Sequence, residues 1–232
     1  MDPQKASLKS DREMYALEQK MHRRKFLMFS GTAATVALVG VACSKDDDNV
    51  SDGVNLGSGD IGVLNYAYAL EQLEAAFYTQ VLATPFSGIT ATESAFLMDI
   101  RDHEIAHREF FKNALMSNAI QDLEVNFASI NFNSRDSVLG TAKAFEDLGV
   151  AAYNGAGKLL TNPTYLLLAG KIVSVEARHA AVIRDLISNG TFADNTVINA
   201  NGLDVAQMPN EVLATASAFL KTKINASNLP TS

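Results

Sequence analysis

At 232 residues, with 47% apolar and 19% charged side chains, the chain is long enough to build one full globular core. A formal charge of −7 makes nucleic acid an unlikely fit as a partner, and a single cysteine excludes a disulfide framework.

The chain opens on a polar stretch in which Met14 and Met21 are candidate later starts. Arg23-Arg24-Lys25-Phe26-Leu27 then leads into 17 apolar residues, Phe26 to Ala42, ending in Gly40-Val41-Ala42-Cys43. Basic residues before an apolar run are the pattern of an export signal. The paired arginines followed by Phe-Leu resemble a twin-arginine signal, and the small residues before Cys43 resemble a lipobox, whose cysteine becomes the lipidated first residue. An uncleaved signal anchor is the alternative, because 17 residues are at the short end of a membrane span. The position of the only cysteine favours the lipobox. Residues 1–42 are therefore expected to be a signal, and residues 43–60, rich in Asp, Ser, Gly and Asn, a flexible tether. A lipid on Cys43 would hold the protein in the cell envelope, most simply at the outer membrane. Past residue 42 there are 12 basic against 22 acidic residues, which strengthens the case against nucleic acid.

The first helical stripe is expected over about 61–82, through Leu64, Ala67, Glu71, Ala75, Tyr78 and Leu82, and is stopped by Pro85 and Gly88. Thr90 with Glu93 reads as a capping box that opens a second helix to about residue 117, through Leu97, Ile100, Glu104, His107, Phe111 and Leu115. Residues 118–134 lack a clean period and form a long connection. A third helix is expected over about 136–160, through Leu139, Ala142, Glu146, Gly149, Tyr153, Ala156 and Leu160. Asn162-Pro163 caps a fourth, which runs to Asn189-Gly190 through Ile172, Glu176, His179, Ile183 and Leu186. Pro209 precedes a short fifth helix, about 210–221, with Val212, Ala216 and Leu220 on its apolar side. Two helical hairpins and one long crossover predict an all-α four-helix bundle over residues 61–190. Residues 191–232 are then an extension whose short helix packs on it.

One pattern occurs twice. Glu71 with Tyr78 seven residues later is followed by Glu104-Ile105-Ala106-His107; Glu146 with Tyr153 seven residues later is followed by Glu176-Ala177-Arg178-His179. Seven residues is two helical turns, and residues three apart share a face, so each unit points two carboxylates, an imidazole and a phenol inward. One Glu from each of two helices and one Glu-x-x-His from each of the other two is the ligand set of a two-metal site in a four-helix bundle. Glu71, Glu104, His107, Glu146, Glu176 and His179 are the candidate ligands, with Glu104 and Glu176 the expected bridges. Hard oxygen donors with one imidazole per ion suit two Fe or Mn ions. Tyr78 and Tyr153 are placed to hydrogen-bond a ligand or supply an electron.

Each element also has a plainer reading: an inward Glu could pair with Arg101, Arg178 or Arg184, and a lone His or Tyr could simply pack. The repeat is what argues against coincidence, and it suggests duplication of one hairpin. Glu74 competes with Glu71, but its counterpart is Gly149, so the repeat favours Glu71. His103-Glu104-x-x-His107 also matches a zinc hydrolase motif. The second copy has Val175 where the first has His103, and no third zinc ligand follows in the expected place. On the two-metal reading His103 is a neighbour whose loss should matter little.

From about residue 64 to 186 the chain resembles the ferritin-like superfamily. Leu70-Glu71-Gln72-Leu73-Glu74-Ala75-Ala76-Phe77-Tyr78 and Pro209-Asn210-Glu211-Val212-Leu213-Ala214 are similar to its exported, desiccation-related branch. The resemblance implies a non-haem di-iron or di-manganese site that meets dioxygen or hydrogen peroxide. The chain has no Cys-x-x-Cys pair for a rubredoxin-like module, and a lipid anchor and extra helix argue against an iron-storage cage. The competing class is a non-catalytic surface binding or structural protein built on the same bundle.

Overall fold

A computed structural model describes residues 52–231. Residues 1–42 and Cys43 lie outside the described residues. The four long helices are α1 (Gly59–Ala83), α2 (Ala91–Leu115), α3 (Arg135–Ala156) and α4 (Pro163–Ile187), followed by a short α5 (Pro209–Ala216). The fold is a helical bundle, as the periodicity predicts.

Local chemistry sets the helix ends. Thr90 accepts from the Glu93 backbone N–H while the Glu93 carboxylate accepts from that of Thr90, closing the capping box that starts α2. The Asn162 side chain accepts from Thr164 N at the start of α4, with Pro163 at its first position. Ser134 caps α3 by accepting from Ser137 N, so this helix begins slightly before the expected residue.

The direction of the helices follows from two reciprocal contacts. Tyr78 on α1 reaches Glu146 on α3, and Tyr153 on α3 reaches Glu71 on α1, a register possible only if α1 and α3 are antiparallel. Because α1 and α2 form a hairpin, α2 and α3 run the same way, and the connection between them must travel the length of the bundle. A 25-residue helix is about 37 Å long at 1.5 Å per residue. The 19 residues of 116–134 can span roughly 60 Å, so the crossover has slack to pack rather than stretch.

Two buried amides on α1 fix it. Asn65 donates to Leu56 O and Asn118 O and accepts from Ile120 N; Gln72 donates to Gln121 O and accepts from Leu123 N. Phe127 and Phe132 then pack their rings on Phe77. Covered by the crossover on one side and by the other helices elsewhere, α1 is buried almost all round from Gly62 to Ala75.

The tether expected to reach residue 60 ends earlier. Val54–Asn55 forms a two-residue strand, β1, parallel to β2 (Ile224–Asn225), and Leu56 is fully buried. A buried leucine and two ladder bonds are enough to pull this polar segment into the fold. The C-terminal extension is seated on α3: Gln207 N donates to Ala151 O, and a Cβ on Gly155 would lie 1.7 Å from Gln207 O, so only glycine permits the approach. Among the described residues, no helix is long and apolar enough to cross a membrane.

Candidate metal centre

The inward stripes bring all six candidate ligands to the middle of the bundle. Glu71 comes from α1, Glu104 and His107 from α2, Glu146 from α3, and Glu176 and His179 from α4. All four carboxylates are fully buried, and the imidazoles nearly so. They form two groups, Glu71, Glu104, His107 and Glu176, and Glu104, Glu146, Glu176 and His179, in each of which one donor atom per residue lies within 4.8 Å of all the others. Glu104 and Glu176 belong to both. Glu104 Oε1 is 2.8 Å from His179 Nδ1, whereas its Oε2 is 3.6 Å from His107 Nδ1. One carboxylate thus faces both groups, which is the placement expected of a bridge.

The outer carboxylates are each held by one oxygen. Tyr78 donates to Glu146 Oε1 at 2.5 Å, and Tyr153 donates to Glu71 Oε1. Each phenol serves the glutamate of the other helix, because antiparallel α1 and α3 bring residues two turns apart into register. Glu71 Oε2 and Glu146 Oε2, both oxygens of Glu104 and of Glu176, and Nδ1 of both histidines have no hydrogen-bond partner. His107 Nδ1 lies 2.9 Å from Glu176 Oε1 and 3.4 Å from Glu71 Oε2, yet neither contact has hydrogen-bond alignment. Donor atoms this close that do not bond one another converge instead on common points. Eight buried atoms without a hydrogen-bond partner among the described residues are what a pair of cations would satisfy, and this donor set fits hard metal ions.

Among the described residues no arginine pairs with the cluster. Arg101 pairs with Asp102, Arg184 with Asp147 and Asp194, and Arg178 is exposed. Burial therefore acts first on the acids. It pushes Glu71 up to about 7 against the pull of His107, and with Glu104 it raises Glu146; Glu176 is driven well up by burial and by Glu104 and Glu71. Glu104 goes the other way, to about 2, because both imidazoles face it and outweigh burial. Against their own burial, the facing carboxylates lift His179 to about 10 and His107 well above its ordinary value.

A match to the ferritin-like domain family covers residues 59–189, the four helices and every residue of the two groups. The chain belongs to the ferritin-like domain family. No curated protein matches it.

Two residues around this ferritin-like centre have places that the spacing did not disclose. His103, expected to matter little, lies with Nδ1 2.9 Å from His179 Nε2 and its ring 6° from parallel with that imidazole. If His179 uses Nδ1 toward an ion, its Nε2–H donates to His103, which fixes tautomer and orientation. His103 therefore faces His179 on α4, and neither of the two donor groups contains it. The contact spans 76 residues, so no local pattern could signal it. Glu74 is the second: buried, one turn past Glu71, and raised well above the usual carboxylate range by burial and by Glu176, Glu104, Glu146 and Glu71.

Metal uptake should accordingly release protons. Without an ion His179 stays protonated up to about pH 10 and Glu71 holds a proton up to about pH 7, whereas ligation needs both deprotonated. Calorimetric titration with Mn(II) in buffers of different ionisation enthalpy should show proton release and an affinity that climbs from pH 6 towards pH 10. In the same titration His103→Ala should weaken binding about 10-fold or more; a pH-independent affinity would contradict the assignment of these groups.

Proposed function

We propose that this ferritin-like protein is exported and lipid-anchored, belongs to the desiccation-related branch, and uses two Fe or Mn ions to react with hydrogen peroxide or dioxygen under oxidative or desiccation stress. The observation that carries the metal is the set of buried donors that have no hydrogen-bond partner among the described residues and that no lysine or arginine among those residues pairs with. Burying four carboxylates with only two imidazoles in reach is costly, and ions remove that cost.

Glu71, Glu104, His107 and Glu176 would hold one ion and Glu104, Glu146, Glu176 and His179 the other. When bound, such ions supply one-electron redox chemistry and Lewis acidity towards small oxygen species. Tyr78 and Tyr153 keep one oxygen of Glu146 and Glu71 occupied, so each outer carboxylate presents its second oxygen inward. These phenols are the redox-active side chains that touch candidate ligands, and each already directs its proton at a carboxylate oxygen. They are the residues from which an electron would be drawn. The full burial of the four carboxylates favours small neutral substrates, since a charged one would be stripped of water on entry. His107, 12% exposed, is the ligand nearest to solvent.

The twin-arginine-like segment and Cys43 support export and a lipid anchor at the cell envelope, facing the periplasm or the cell surface. Cys43→Ser should then move the protein from the membrane to the soluble fraction with its helical content intact; retention in the membrane would favour the uncleaved anchor.

The centre is tested by loading the protein with Mn(II) or Fe(II) and measuring peroxide consumption and metal content together. Wild type should retain about two ions per chain and consume peroxide, whereas Glu104→Ala should lose most metal from both positions and its turnover with it. Full occupancy without turnover of peroxide or dioxygen would leave a structural metal bundle instead. A single zinc that survives Glu104→Ala would overturn the two-metal reading.

A further inference from the structure

Four alanines on three helices leave a space that their neighbours do not fill. Ala67 on α1, Ala152 and Ala156 on α3 and Ala169 on α4 line a cavity of about 20 Å³, enough for one molecule the size of water or dioxygen. Tyr66 and Tyr153 line it too. Because Tyr153 donates to Glu71, its side chain touches both this space and a candidate ligand of the metal centre.

The cavity offers little to a polar guest. Its remaining lining is apolar, and the Tyr153 hydroxyl is already committed to Glu71. Tyr66 is 1% exposed, and its hydroxyl has no hydrogen-bond partner among the described residues. Burial and the Glu74 carboxylate push that hydroxyl above its ordinary range, so it keeps its proton and remains a donor. A buried hydroxyl without a partner is unfavourable, which makes it a ready contact for whatever enters. Water is a poor occupant, since a buried water needs about two to four polar partners and the lining leaves it the Tyr66 hydroxyl alone. Hydrogen peroxide brings two O–H groups and meets the same shortage. Dioxygen has no donor to satisfy, suits an apolar wall, and can accept from one hydroxyl.

Resting on the metal centre proposed above, we propose that this cavity is a binding site for dioxygen, held by the Tyr66 hydroxyl against the alanine wall, and that it supplies dioxygen in preference to peroxide to the centre beside Tyr153. The site lies outside both donor groups. Tyr66 thereby joins the residues that contact substrate, and Tyr153 stands between the oxidant and Glu71.

Crystals of the full-length protein pressurised with xenon test the site without any metal, because xenon fills apolar cavities. Wild type should show xenon beside Ala67 and Ala152, and Tyr66→Phe, which removes the donor and keeps the ring, should retain it. Ala152→Leu should lose it; Ala169→Leu, at a half-buried position, makes the same test if the first variant does not fold. Protein loaded with Fe(II) under anaerobic conditions should then consume dioxygen with a KM raised several-fold in each variant, the effect falling on KM rather than on kcat, and Mn(II) content should stay at the wild-type level. A cavity empty under xenon, an ordered water on Tyr66 that xenon does not displace, or a wild-type KM in a variant that has lost xenon would overturn the dioxygen site and leave the two-metal centre standing. So would loaded wild-type protein that consumes peroxide but not dioxygen. Protein that binds xenon and no metal would overturn the centre and this role together.

Discussion

Glu71, Glu74, Glu104, Glu146 and Glu176 are buried at the middle of this bundle with two imidazoles, no lysine or arginine among the described residues pairs with them, and much else in the structure is arranged around that excess of negative charge. Within the cluster the facing carboxylates raise the imidazoles, and burial with carboxylate repulsion raises most of the acids. That is a compromise, since orphaned oxygens remain. Anything that binds the folded cluster and not the unfolded chain adds stability by mass action, so ion binding and folding are linked here.

The bundle topology makes the cluster possible. Antiparallel α1 and α3 place each tyrosine against the partner helix's glutamate, which orients two carboxylates without using up the oxygens that face inward. The price of that topology is a crossover along the whole bundle. It is fastened by Asn65 and Gln72, whose amides satisfy backbone groups that would otherwise be buried unpaired. The helix carrying Glu71 and Glu74 is therefore the most enclosed element of the fold, and the C-terminal segment, close-packed at Gly155, covers α3 as well.

What could be read from the sequence divides along physical lines. The caps at Thr90 and Asn162 depend on residues two or three apart and were legible, as were the six inward donors, because helical period alone puts them on one face. The tyrosine spacing was legible too, but not the cross-pairing, which depends on the relative direction of two helices. His103 on His179 depends on how α2 sits against α4, and Val175 in the second copy pointed away from it. On the repeat alone Gly149 sets Glu74 aside; in three dimensions the same glycine leaves the space that the Glu74 carboxyl occupies. Leu56 and β1 were hidden by the polar composition around them, since a two-residue parallel pairing has no period to detect.

If the orphaned donors do converge on a pair of ions, the ions can be seen directly. Crystals grown with Mn(II) and measured on either side of the manganese absorption edge should show two anomalous peaks about 3.5–4 Å apart. They should lie between Glu104 and Glu176, with His107 Nδ1 on one and His179 Nδ1 on the other. A single peak at His103 and His107, or none within reach of Glu71 and Glu146 at saturating metal, would contradict the account.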